Sequence, residues 1–253
     1  MRIERLPITV AAVFLASTLS YADQVIHATV EGDEVAPPHR LGTDRACSAC
    51  LEGPHVGDAI TISVGPGRAR RDRGPYSIIL RRDQERLYFV CHESQIYREV
   101  RYPVQYAALF GSSRWKGPGD LLTFSLSSVK TRTTQIGQWP ADSYETTVVN
   151  GLREQFRFTV AIATVAEQTD ALVLELRKTL NMLEHSGHGW AESLALKPGV
   201  PLVWEEAQRQ PETEFVYREK VTQIETKELP GATYDVPSSY KRVEFDPACV
   251  RFR

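Results

Sequence analysis

The chain has 253 residues, with 30 Lys and Arg against 32 Asp and Glu and a formal net charge of −2. Hydrophobic residues make up 42% and charged residues 25%, enough apolar surface for a core, which excludes disorder along the whole length. The near-even charge balance also excludes nucleic-acid binding driven by net charge.

The first 22 residues read as a secretory signal peptide. Arg2 and Arg5 supply a basic start, residues 6–19 an apolar run, and Ser20-Tyr21-Ala22 a small-x-small cleavage site. The run is shorter than the ~20 residues that span a bilayer, and no later stretch is long and uncharged enough to do so. The expectation is an exported, periplasmic protein with a single domain over residues 23–253.

Residues 24–30 (QVIHATV) form a first candidate strand, followed by a loop rich in Pro, Gly and charge at about 31–56. From Asp58 the period is two, with Ile60, Ile62 and Val64 on one face. Pro66-Gly67 is a turn signal. Further strands are expected at 76–80, at 86–92 with Leu87, Phe89 and Cys91 on one face, and at 96–102. Residues 81–85 have hairpin length. Leu122, Phe124 and Leu126 alternate with polar residues, 144–149 is extended, and Phe156, Phe158, Val160 and Ile162 give the cleanest alternation in the chain.

At Thr169 the period changes. Thr169-Asp170 is a helix cap, and Leu172, Val173, Leu176, Leu180 and Leu183 recur at three- and four-residue steps, an apolar stripe on about four turns of helix. Gly187 and Gly189 end it, and a shorter helix is expected at 190–196. Strands resume at 201–207, 214–226 and 241–245. Helices do not alternate with strands, which excludes a doubly wound parallel sheet, and short links favour antiparallel pairing. The fold expected is α+β: a curved antiparallel sheet forming an open half-barrel, with one or two helices on its concave face.

Four cysteines in an exported chain read as disulfides, and the pairing favoured is Cys47–Cys50 with Cys91–Cys249. Two other readings of Cys47-Ser48-Ala49-Cys50 stay open: a redox pair, for which the loop-like surroundings lack the expected helix, and a zinc site drawing on His39 and His55.

Three stretches together carry a resemblance. They are the arginine-rich turn with Arg70-x-Asp72 followed by YSIILRRDQERLYFVCHESQIYREV, then IGQWPADSYETTV at 136–148, then ELPGATYDVPSSYKRVEF at 228–245. In this order the set resembles an uncharacterised bacterial family of exported domains, similar to the half-barrel of the periplasmic lipoprotein carriers. The resemblance spans roughly residues 57–245 and implies that fold. It supplies no catalytic residue.

The residues themselves show no G-x-S-x-G, H-E-x-x-H or Walker loop. His185 and His188 beside Glu184 read as a helix end rather than a metal site, and no cofactor or metal is expected. Arg68, Arg70, Arg71, Arg73, Arg81, Arg82 and Arg86 crowd one stretch and read either as a solvated outer face or as a patch for an anionic partner. The function expected is non-catalytic: binding of a lipid or other hydrophobic ligand in the half-barrel cavity, lined by Phe89, Leu122, Phe124, Phe156, Phe158, Leu172, Leu176 and Leu180. The alternative is an envelope structural or interaction protein whose same face is a closed core with no small ligand.

Overall fold

A computed structural model describes residues 22–32, 56–105, 124–150, 155–163, 171–184, 200–209 and 214–244. The signal segment through residue 21, most of the 31–56 loop, Cys47, Cys50, Leu122, His185, His188, the 190–196 helix and Cys249 lie outside the described residues.

The described chain is mostly β. Its strands are β1 (Asp23–Gly32), β2 (Ala59–Gly65), β3 (Arg68–Arg73), β4 (Tyr76–Arg81), β5 (Arg86–Cys91), β6 (Ile96–Arg101), β7 (Phe124–Ile136), β8 (Trp139–Asn150), β9 (Gln155–Ala163), β10 (Pro201–Arg209), β11 (Glu214–Lys227) and β12 (Lys241–Val243). One helix longer than a single 3₁₀ turn is described, α1 (Ala171–Glu184). The strands form one sheet in the order β12-β6-β5-β4-β3-β2-β1-β11-β10-β9-β8-β7, and its two end strands do not pair, so the sheet is open.

Residues 59–101 form a meander because each link is a tight turn. Pro66-Gly67 joins β2 to β3, with Gly67 at φ 69°, the positive φ that the third position of a type II turn requires after proline. Gly74-Pro75 joins β3 to β4, with Gly74 at φ 51°, as a hairpin with glycine in the first central position requires. Pairing is antiparallel throughout except at the edge, where β12 lies parallel to β6 with Arg242 opposite Tyr97. The wholly antiparallel expectation is corrected there. The chain leaves β11 at Lys227 and crosses a sheet face before adding β12, and a connection that is not a hairpin leaves the direction free.

β3 was not expected from the sequence as a strand. Its register is nevertheless continuous, Arg71 facing Ile62 of β2 and Ile78 of β4. Ala69, Arg71 and Arg73 point to the buried side, and Arg68, Arg70 and Asp72 to the other. Alternation is present, but arginine fills two of the three buried positions.

The core lies on the face shared by Ile26, Ile60, Val64, Ala69, Ile78, Leu80, Leu87 and Phe89. Leu172, Val173 and Leu176 of α1 belong to the same buried cluster. The helix is inserted between the neighbours β9 and β10, yet it touches β2, β3 and β4. It therefore crosses the intervening strands, and its apolar stripe is the reason.

The opposite face is also covered. Ile79, Val90 and Ser77 are fully buried on it, beneath the segment that follows β11. That segment places Tyr234 in full burial and is tied to the start of β1 by Leu229 N–H donating to Asp23 Oδ2 at 3.0 Å.

Candidate functional site

The cleft of interest opens between α1 and the core face. Its walls are Ile26 and Ala28 of β1, Ile62 of β2, Val221 of β11, Val200 and Pro201, and Val173 and Leu176 of α1. Charged and aromatic groups close one part of it: Arg71, Arg177, Glu219 and Trp204. Centres of water-sized molecules have about 30 Å³ to occupy, room for about two waters and far short of an acyl chain.

Glu219 organises the charged part. It lies on β11 between Tyr217 and Val221, on the side that faces inward, and opposite Trp204 of β10. Arg71 Nη2 donates to its Oε1 at 2.7 Å and Arg177 Nη1 to its Oε2 at 2.9 Å. The Tyr217 hydroxyl donates to Oε1 as well. Burial pushes this carboxyl up. The Arg71 and Arg177 charges, the Tyr217 hydroxyl and the Arg73 charge overcome it and hold the pKa down at about 2. Glu219 is therefore an anion at neutral pH.

Arg71 reaches Glu219 over two strands, because β3 and β11 are separated by β2 and β1. A flat sheet would set β3 and β11 about 14 Å apart before any offset along the strands. The 2.7 Å contact is made by two long side chains reaching toward each other over β2 and β1.

Arg177 enters from the helix. Its Cζ lies 3.6 Å from the centre of the Trp204 ring, the separation of a guanidinium stacked on an indole face. Its Nε and Nη2 are buried and have no hydrogen-bond partner among the described residues.

The second cluster lies on the opposite face. Arg70 Nε donates to Asp72 at 2.8 Å, Nη1 to the Thr233 carbonyl at 3.0 Å and Nη2 to Ser77 Oγ at 3.2 Å. Ser77 donates its one proton to Asp72. His92 Nε2 stands 2.7 Å from Ser77 Oγ and therefore donates to it, while His92 Nδ1 accepts from the Tyr240 hydroxyl at 2.9 Å. Burial and the Arg70 charge push the His92 imidazole below its ordinary pKa, which keeps it neutral. A nucleophilic serine needs the reverse, an imidazole that accepts the hydroxyl proton and is oriented by the carboxylate. Here Ser, His and Asp hold the segment carrying Thr233 and Tyr240. Arg81 joins them through the Tyr234 carbonyl and Asp235, and Arg68 lies over the Tyr234 ring at 4.6 Å. Two of the three stretches that carry the sequence resemblance thus meet in one network.

The structure distributes the residues singled out in the sequence as follows. Leu176 lines the cleft. Leu172 and Phe89 lie in the buried cluster beside it, 2% and 4% exposed. Phe124 is on β7, Phe156 and Phe158 are on β9, and Leu180 is on α1; their side chains lie outside the described ones. Cys91 ends β5 in full burial and accepts from Ser94 Oγ, while its expected partner lies outside the described residues. Of the seven crowded arginines only Arg82 is exposed. Arg71, Arg73 and Arg81 are buried, and Arg86 pairs with Glu99 at 2.8 Å. The solvated-face reading is corrected: most of this charge is turned inward or used in holding the fold.

Sequence reasoning missed Arg177, Trp204, Tyr217 and Glu219, and it placed Arg71 in the arginine cluster without its inward role. The signal was available as charge at an inward position. Glu219 falls between Tyr217 and Val221 in an alternating strand, and Arg177 directly follows Leu176 in the helical stripe.

Among the described residues no helix is long and apolar enough to cross a membrane. No protein-family model matches the chain, and no curated protein matches it.

Proposed function

We propose that the protein is an exported, periplasmic binding protein without catalytic activity, in which a half-barrel takes a lipid or other hydrophobic ligand between the sheet and α1. The observation that supports this most is the cleft itself, apolar on both the sheet and the helix side, with Leu176 at its wall. The space available is small, so a ligand enters by displacing α1. Exposing Leu172, Val173 and Leu176 to water would cost roughly 2 kcal/mol for each side chain. A hydrophobic ligand offsets most of that by covering the same surface.

The test is titration of the purified protein with a fluorescent hydrophobic probe, repeated with Leu176→Ala. Saturable binding that the substitution alters supports the reading. A wild type that binds no probe, together with a loss of the ~2–5 kcal/mol typical of a close-packed leucine, favours a structural or interaction protein of the envelope. The full burial of Ile26, Leu172 and Leu176 is the observation on that side.

A further inference from the structure

The charged end of the cleft contains buried donors with no acceptor among the described residues. Arg177 is 5% exposed, lines the cleft, and spends one hydrogen bond on Glu219 through Nη1. Its Nε and Nη2 have no partner among the described residues. Buried guanidinium N–H groups normally find one, and leaving them without carries a desolvation penalty. The Trp204 ring covers one face of the guanidinium, 3.6 Å from its Cζ, and leaves its N–H edge available. That edge is a planar fork, whose matching acceptor is a carboxylate or phosphate oxygen pair. Glu219 cannot supply it, since its two oxygens already accept from Arg71, Arg177 and Tyr217.

We propose that this end of the cleft binds the oxyanion head of an amphiphilic ligand, a carboxylate or phosphate group held by Arg177 Nε and Nη2. The inference rests on the binding reading above and adds a ligand class to it. The apolar walls at Ile26, Ile62, Val173 and Leu176 take the start of the chain. Glu219 has a positioning role: it fixes Arg177 from one side and Trp204 fixes it from another. The cleft's small volume suits a head group before it suits a tail. An anion therefore docks at Arg177 first, and the tail follows as α1 gives way.

The test compares a fatty acid, the fatty alcohol of the same chain length, and inorganic phosphate, each competing with a bound hydrophobic probe at pH 8 in the wild type. The inference predicts that the acid competes at least tenfold better than the alcohol. It also predicts that Arg177→Met, which keeps the apolar stem, brings the two within about twofold. Equal competition by acid and alcohol in the wild type overturns the inference and leaves the hydrophobic-binding reading standing. Phosphate protection of α1 amides from hydrogen exchange, with no binding of either chain, retains an oxyanion site for a free anion and removes the amphiphile. Absence of acid, alcohol and phosphate binding overturns both. The wild-type comparison decides the matter even if Arg177→Met fails to fold.

Discussion

Arg71 on β3 donates to Glu219 on β11 at 2.7 Å with β2 and β1 lying between their strands. One carboxylate thereby ties the meander of β2–β6, through Arg71, to the α1 helix, through Arg177 at 2.9 Å. The meander and the helix are held by the same two oxygens.

Glu219→Gln should therefore destabilise the protein by about 3–5 kcal/mol, the range for removing one member of a buried pair. The buried Arg71 and Arg177 guanidiniums would lose the carboxylate charge they share. Glu205→Gln provides the contrast. Glu205 pairs with Arg218 at 2.7 Å, but both side chains are partly exposed, and such a pair contributes about 0–1 kcal/mol. Urea unfolding of the two variants against wild type measures the difference.

The Glu219 pair also sets an acid limit. Its folded pKa is depressed from 4.5 to about 2, so its contribution is complete above the unfolded value and is lost as pH falls through the folded one. The shift corresponds to roughly 3 kcal/mol at neutral pH. The stability gap between wild type and Glu219→Gln should be constant from pH 7 to about 5, then shrink between pH 4.5 and 2. A gap that stays constant down to pH 2.5 would show that the carboxylate charge is not what stabilises the fold.

Much of the architecture could be read in the sequence because it follows apolar periodicity. β2 and β5 showed period two, α1 showed its stripe, and the structure places both patterns at those residues. β3 escaped because its inward positions are Ala69, Arg71 and Arg73, and a pattern scan counts arginine as outward. The parallel β12 escaped because pairing direction at an edge is set by where the chain returns, which no local pattern records. The charged end of the cleft was illegible for a related reason. Arg71, Arg177 and Glu219 come from three distant elements, and only the fold shows that they share one site.

Tyr234 anchors the segment that covers the second face. Tyr234→Ala should cost about 3–5 kcal/mol as a large buried aromatic. It should also raise amide exchange at Thr233 and Asp235, whose N–H groups bond the Pro230 and Ala232 carbonyls. Hydrogen exchange by mass spectrometry reads both residues. Unchanged protection there would mean that Arg70 and Arg81 hold the segment without the ring.

The expected disulfides Cys47–Cys50 and Cys91–Cys249 can be checked chemically. Protein taken from an oxidising compartment and denatured without reductant should show almost no free thiol. Peptide mapping should find Cys91 joined to Cys249. Four titratable thiols accompanied by bound zinc would return the 47–50 pair to the metal reading.

The most direct test of the binding function is native mass spectrometry of the protein purified from its own cell envelope, without detergent extraction. The account predicts an added mass of several hundred daltons, lost on collisional activation and displaced by an excess of fatty acid. A spectrum showing only the bare chain, before and after incubation with a total lipid extract, would contradict it.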